Sequence, residues 1–150
     1  MTLAGRLGDS FAWLLLVLLS IAGLGASGYL TYSHYADKPT ACAGIGSCEY
    51  VQTSEYSEIL GVPVALLGLL FFVAFGALAL VRLVRGPDDP DWAQPAAFSM
   101  TLGGTAFVSY LTYVELFVID AICPWCVATA VITVGCLLVV VTRAVFNSED

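Results

Sequence analysis

Four of the five cysteines fall into two spaced pairs, and it is here that the sequence has residues able to do chemistry. Cys123-Pro124-Trp125-Cys126 is a C-x-x-C, the spacing of a redox dithiol and equally of half a zinc site. Pro124 suits the first position of a helix, where a missing N–H costs nothing. The unpaired N–H groups and positive dipole end of such a helix stabilise a thiolate, the species that attacks in disulfide exchange. Cys42 and Cys48 are joined by Ala-Gly-Ile-Gly-Ser, a spacer flexible enough to close a small ring or to let one sulfur swing. Outside the cytosol such a pair oxidises readily. Two inert arrangements compete with redox work. A purely structural pairing would strain the short C-x-x-C bridge, which favours lability. A zinc site would combine C-x5-C with C-x2-C, a loose fit to the usual ligand spacings. Cys136, roughly 15 Å further along the same helix, reads as a buried structural residue.

The elements that must position these sulfurs are membrane helices. The chain is 59% hydrophobic and 11% charged, with a mean hydropathy of +0.90, outside the range of soluble domains. Four runs lack Asp, Glu, Lys and Arg for long enough to span a hydrocarbon core of about 30 Å: Phe11 to Ser33, Ile59 to Val81, Ala93 to Val114 and Ala121 to Thr142. In lipid the backbone must satisfy its own hydrogen bonds, so the runs predict helices. The expected fold is all-α: one membrane domain over residues 1–150, a four-transmembrane-helix bundle with helices at about 11–33, 59–81, 93–119 and 121–142. The first run could instead be a signal peptide, since small residues follow at Gly25, Ala26, Ser27 and Gly28. Its length and Asp9 argue against that.

Arg6, Arg82, Arg85 and Arg143 flank the runs on one side, and only Lys38 lies in the loop from His34 to Glu58. The positive-inside rule then makes both termini and the 82–92 loop cytoplasmic. Both cysteine pairs face outward, the first in the extracytoplasmic loop between the first two helices and the second at the turn around Asp120 to Cys123. A net charge of −7 with five scattered basic residues excludes a nucleic-acid surface. Tyr29, Tyr32, Tyr35, Tyr110, Tyr113, Trp13 and Trp92 suit interfacial belts. Glu115, an acid just inside the outer end of the third helix, could supply a proton or pair within the bundle, with snorkelling to the interface the stronger expectation. Leu60, Val64, Leu111 and Phe117 are expected as apolar walls among the outer helix ends, under the loop and near the sulfurs.

Three blocks, in this order, carry a resemblance: Cys48-Glu-Tyr-Val-Gln-Thr-Ser54, Gly61-Val-Pro-Val-Ala-Leu-Leu-Gly68 and Tyr110-Leu-Thr-Tyr-Val-Glu-Leu-Phe-Val-Ile-Asp-Ala-Ile-Cys-Pro-Trp-Cys126. With the four spans, they make the sequence similar to the bacterial form of the vitamin K epoxide reductase family over essentially its whole length. The resemblance implies that Cys42 and Cys48 are a shuttle pair and Cys123 and Cys126 the active-site pair. Cys48 would attack Cys123 and free Cys126, stabilised by the helix start, to face a membrane quinone. Ser54 matches the family's serine six residues after the second loop cysteine, and Ser57 sits near the asparagine by which animal members hold the quinone carbonyl. Ala130 replaces their tyrosine beyond the active pair. Those departures point to a plain quinone, menaquinone or ubiquinone, rather than an epoxide, with no metal. The donor is expected to be a separate DsbA-like protein of the thioredoxin fold, since no fused thioredoxin-like domain stands in these residues. The implied activity is a quinone-dependent thiol–disulfide oxidoreductase of the plasma (inner) membrane, supporting disulfide formation. A reductase of vitamin K quinone or epoxide and a non-catalytic, disulfide-stapled membrane protein remain as alternatives. A DsbB-like oxidase would carry its C-x-x-C before the loop pair, the reverse of the order here.

Overall fold

The computed structural model describes residues 3–42, 44, 46–88 and 90–148. Four long helices make the bundle: α1 (Leu3–Tyr35), α3 (Val64–Arg85), α4 (Ala93–Phe117) and α5 (Pro124–Ser148). The loop between α1 and α3 holds a short helix α2 (Cys48–Thr53), a 3-10 turn at Glu55–Ser57 and a two-stranded hairpin, β1 (Glu58–Ile59) and β2 (Val62–Pro63). Among the described residues three helices, α1, α3 and α5, are long and apolar enough to cross a membrane. The helix α4 is as long, but Gln94, Ser99, Thr101, Thr105, Ser109 and Thr112 dilute its apolar character.

Several hydroxyls inside the helices close on their own backbone. The hydroxyls of Ser20, Ser27 and Thr31 donate to the carbonyls of Leu16, Gly23 and Ser27 at 2.6–2.8 Å, which removes the cost of carrying an unpaired donor into lipid. The helix α1 packs on α3 and α5, and α4 packs mainly on α5. At the α1–α3 crossing the Phe72 ring occupies the space that a side chain at Gly23 would need, so the two backbones approach over a small residue. Trp13, Leu16, Phe75, Ala79, Ala97, Cys136 and Val140 form one buried core toward the start of α1. A second core, around the other four cysteines, lies at the opposite rim. Leu14, Leu18, Ile21, Leu70, Val73 and Leu138 stay exposed on the outside, a belt that suits hydrocarbon rather than water.

The second apolar run becomes helical later than expected, at Val64 instead of Ile59. Leu60 and Gly61 both have positive φ, 54° and 80°, the pair of left-handed residues that closes a two-residue hairpin. The last run likewise begins its helix at Pro124, because Val118 to Cys123 are spent on the turn that leaves α4.

Candidate functional site

The cysteine rim is built by two turns that lock onto each other. The carbonyl of Glu115 accepts the Ala121 N–H at 3.1 Å, and the Glu115 carboxylate accepts the Cys123 N–H at 3.4 Å, so α4's last full turn holds the start of α5. Cys123 caps that start: its carbonyl takes the Val127 N–H at 3.0 Å and its sulfur takes the Cys126 N–H at 3.4 Å. The free amide of the helix end therefore falls on the sulfur of Cys123, not on that of Cys126 as the sequence led one to expect. The Cys126 thiol also hydrogen-bonds to Cys123. That bond, opposed by burial and by the Glu115 charge, lowers the Cys123 thiol from its ordinary 9.0 to about 7.

The loop descends onto this turn. Ser47 N–H donates to the Ile122 carbonyl at 2.9 Å, and Trp125 Nε1–H donates to the Ala41 carbonyl at 2.8 Å. Ala41 N–H in turn donates to the Tyr29 hydroxyl at 2.9 Å, while the Tyr29 and Trp125 rings lie 4.9 Å apart. Tyr29 is thus a clasp for the loop and not simply an interfacial anchor. Gln52, on α2, donates its amide to Cys126 Sγ at 3.5 Å. Gly46, with φ +84°, lies so close to the Ile122 carbonyl and the Pro124 ring that a side chain would overlap both.

Cys42 and Cys48 are joined in a disulfide with Cα atoms 6.2 Å apart, whereas Cys123, Cys126 and Cys136 are free. Cys48 and Cys123 are buried in one cluster with Leu30, Val51 and Ala121, against which Cys42 and Cys126 pack. Cys42 and Cys126, at the two ends of this series, are the partly exposed members. Beneath the loop Cys126 borders a cavity of about 140 Å³ that reaches Leu30, Val64, Phe71, Leu111 and Ala130. That is the scale of a dry apolar cavity able to take one benzene ring, about 150 Å³. Among the described residues no group of three or more His, Cys, Asp and Glu side chains could hold a metal ion.

Residues 14–141 match the model of the vitamin K epoxide reductase family, most of the chain's length. The chain belongs to that family. Membership makes it a membrane protein and an oxidoreductase of a family that uses quinones as electron carriers and generally works with thioredoxin-like partners.

For this member of the vitamin K epoxide reductase family, Ser54, Ser57, Val64 and Leu111 of the residues singled out in the sequence line the cavity, and Leu60 and Phe117 do not. Leu60, at the hairpin tip, is 100% exposed, and Phe117, on the outer face of α4, is 70% exposed. The hydroxyls of Ser54 and Ser57 donate to the carbonyls of Val51 and Ser54 at 2.8 and 2.7 Å. Ser57 sits in the 3-10 turn, seven residues ahead of α3, with the hairpin in between. Glu115 is the residue whose orientation sequence reasoning missed. Rather than snorkelling, it is 6% exposed and lines the cavity beside Cys126. The signal available was its spacing of eight residues before Cys123, short enough for a tight turn to fold the second helix start over it.

Proposed function

We propose that the chain is a single four-span membrane domain that oxidises an extracytoplasmic thioredoxin-fold (DsbA-like) dithiol and delivers the electrons to a membrane quinone, with both termini and the 82–92 loop cytoplasmic. The fourth span is α4, whose hydroxyls at Ser99, Thr101, Ser109 and Thr112 are all bonded to their own helix carbonyls. The observation that carries the reading is the packing of all four pair-forming cysteines in one cluster at the rim of an apolar, ring-sized cavity.

The order of exposure supports the order of transfer. A partner thiolate attacks the partly exposed Cys42 and releases Cys48. Buried Cys48 then attacks Cys123 of a Cys123–Cys126 disulfide, and Cys126 leaves as a thiolate. The partner's second thiol releases Cys42, which recloses the disulfide with Cys48 and frees Cys123. This leaves an oxidised loop pair and a reduced inner pair. Bound in the cavity, a quinone supplies the acceptor for two electrons and two protons, and its potential sets the direction, since a DsbA-like couple near −120 mV can be drained only from above. Cys126 closes back onto Cys123 as the electron pair leaves. Apolar walls at Val64, Leu111 and Phe71 hold a ring and exclude water. Ser54 and Ser57 offer lone pairs there while their protons stay on the backbone, whereas the second N–H of Gln52 is open to a carbonyl. Ala130 at the cavity wall favours a plain menaquinone or ubiquinone over an epoxide.

The test is Cys126→Ser in the full chain in membranes. It should fold, accept electrons from a reduced partner onto its loop pair, and fail to reduce quinone. Quinone reduction at the wild-type rate refutes the assignment.

A further inference from the structure

Glu115 is a carboxylate inside the cysteine rim with no cationic partner among the described residues. It is nine-tenths buried, and an acid so placed at membrane depth is costly enough to call for a function. One of its oxygens meets the Cys123 N–H, its side chain hydrogen-bonds to the Cys126 thiol, and it lines the same cavity as Cys126. The other titratable groups that face it are few. Cys123 and Cys126 approach from the start of α5 and Tyr56 borders the cavity from the loop, while α1 and α3 present only Ser27, Leu30 and apolar or glycine positions. The remaining hydroxyl protons nearby are committed: Thr112 donates to Val108 and Thr129 to Cys126, both at 2.8 Å to a backbone carbonyl. That leaves one group in contact with both reacting cysteines that can take up and release a proton.

Resting on the quinone reading above, we infer that Glu115 is a catalytic proton relay between the inner dithiol and the acceptor in the cavity. The carboxylate takes the proton of the Cys126 thiol as that sulfur becomes nucleophilic and passes it to one acceptor oxygen. When Cys123 closes the disulfide, its proton follows by the same carboxylate to the second oxygen. One S–S bond forms and two S–H bonds break. The sulfurs lose two electrons, the quinone gains two electrons and two protons, and Glu115 ends as it began.

The experiment uses the full chain in nanodiscs, loaded with electrons through its loop pair, and a short-tailed ubiquinone as acceptor. Glu115→Gln should slow oxidation of the inner dithiol by about 100-fold or more, the usual loss of a positioned acid–base group, and Glu115→Asp should recover to within about tenfold of wild type. A quinone-free measurement accompanies it. The reduced-minus-oxidised infrared difference spectrum should contain a carboxyl band that shifts with the state of the inner pair and vanishes in Glu115→Gln. Gln and Asp variants that are equally slow, a Gln variant with the wild-type rate, or a carboxyl band that survives in Glu115→Gln each overturn the relay. A wild type that fills its inner pair but never passes electrons to quinone overturns the quinone reading instead, and the relay with it.

Discussion

Replacing Gly46 by alanine should uncouple the two cysteine pairs without touching a sulfur. Gly46 has φ +84°, and an added Cβ would overlap the Ile122 carbonyl and the Pro124 ring of the active-site turn. Holding an L-residue in left-handed backbone costs about 1–2 kcal/mol. Relief of the overlap requires the loop to lift, which breaks the neighbouring Ser47 to Ile122 hydrogen bond of 2.9 Å, worth about 1 kcal/mol. The docked loop is therefore destabilised by about 2–3 kcal/mol, or ~30- to ~150-fold in population at about 1.4 kcal/mol per decade. Cys48 must be docked to reach Cys123, so the rate of electron transfer from the loop pair to the inner pair should fall by up to the same factor. Gly44 provides the comparison. It also has positive φ, 75°, but nothing stands within 4 Å of where its Cβ would be, so Gly44→Ala carries the backbone cost alone. Acid quenching after a pulse of dithiothreitol, followed by mass-tagged alkylation, counts the electrons that have arrived on Cys123 and Cys126. Equal exchange rates for the two variants would refute the reasoning, because the contact with Ile122 and Pro124 would then have no energetic weight.

Two further outcomes follow from the cysteine turn and the opposite rim. Cys123 holds its thiolate because Cys126 donates to it, so Cys126→Ala should move the Cys123 thiol from about 7 back up toward 9.0. The thiolate form begins at the lower pH in the wild type, so at pH 7 reaction with a small methanethiosulfonate should fall about 50-fold in the variant, a two-unit shift read on a half-ionised group; superimposable pH profiles would rule the bond out. Arg143 is buried at the far end of the bundle, bonded through Nε to Asp9 at 2.6 Å, to Asp91 at 3.0 Å and to Gln94, with its guanidinium 4.9 Å over the Trp13 ring. Arg143→Met takes away the nearer of the two arginines on Asp9 and leaves Arg82 at 3.6 Å, so it should destabilise the fold by less than the about 3–5 kcal/mol of a wholly stranded buried charge, seen as a lower thermal midpoint in detergent, and an unchanged midpoint would show that Arg143 contributes nothing to the cluster.

The helices were legible because their signal is redundant: long runs without charge admit few other structures. The sulfur pairs stood out by their spacing, and the structure packs the four of them in one cluster. What hydropathy could not register is local backbone geometry. Leu60-Gly61 lies in an unbroken apolar run and still turns a hairpin, which delays α3 to Val64 and throws Leu60 out of the cavity. Phe117 was misplaced for a related reason, since α4 turns that side outward while Val114 and Glu115 face in. Glu115 looked like a snorkelling acid because the residues that satisfy it, Cys123 and Cys126, belong to the next helix.

Two of the arginines from which the orientation was read, Arg82 and Arg143, also build an ionic cluster. Arg82 and Arg143 are both buried, and they close on Asp9 and Asp91, with Arg82 3.6 Å from Asp9 and 3.3 Å from Asp91. Asp9 lies near the start of α1, Arg82 near the end of α3, Asp91 just before α4 and Arg143 near the end of α5, so a single ionic knot gathers all four long helices at one rim. Two carboxylates and two guanidinium groups neutralise each other there, and removing Asp9 leaves two buried arginines with only the more exposed Asp91 between them. The other rim has the reverse construction. It is held by single hydrogen bonds from a loop with positive-φ glycines and a short helix, over a cavity. Exchange between Cys42–Cys48 and Cys123–Cys126 requires sulfurs to change partners, and a bundle that moved as a whole would also displace Glu115 and the cavity wall. With one end tied by charges and the other by a few separable contacts, the low-energy opening is confined to the loop, so Cys48 can move while Cys126 stays at the cavity.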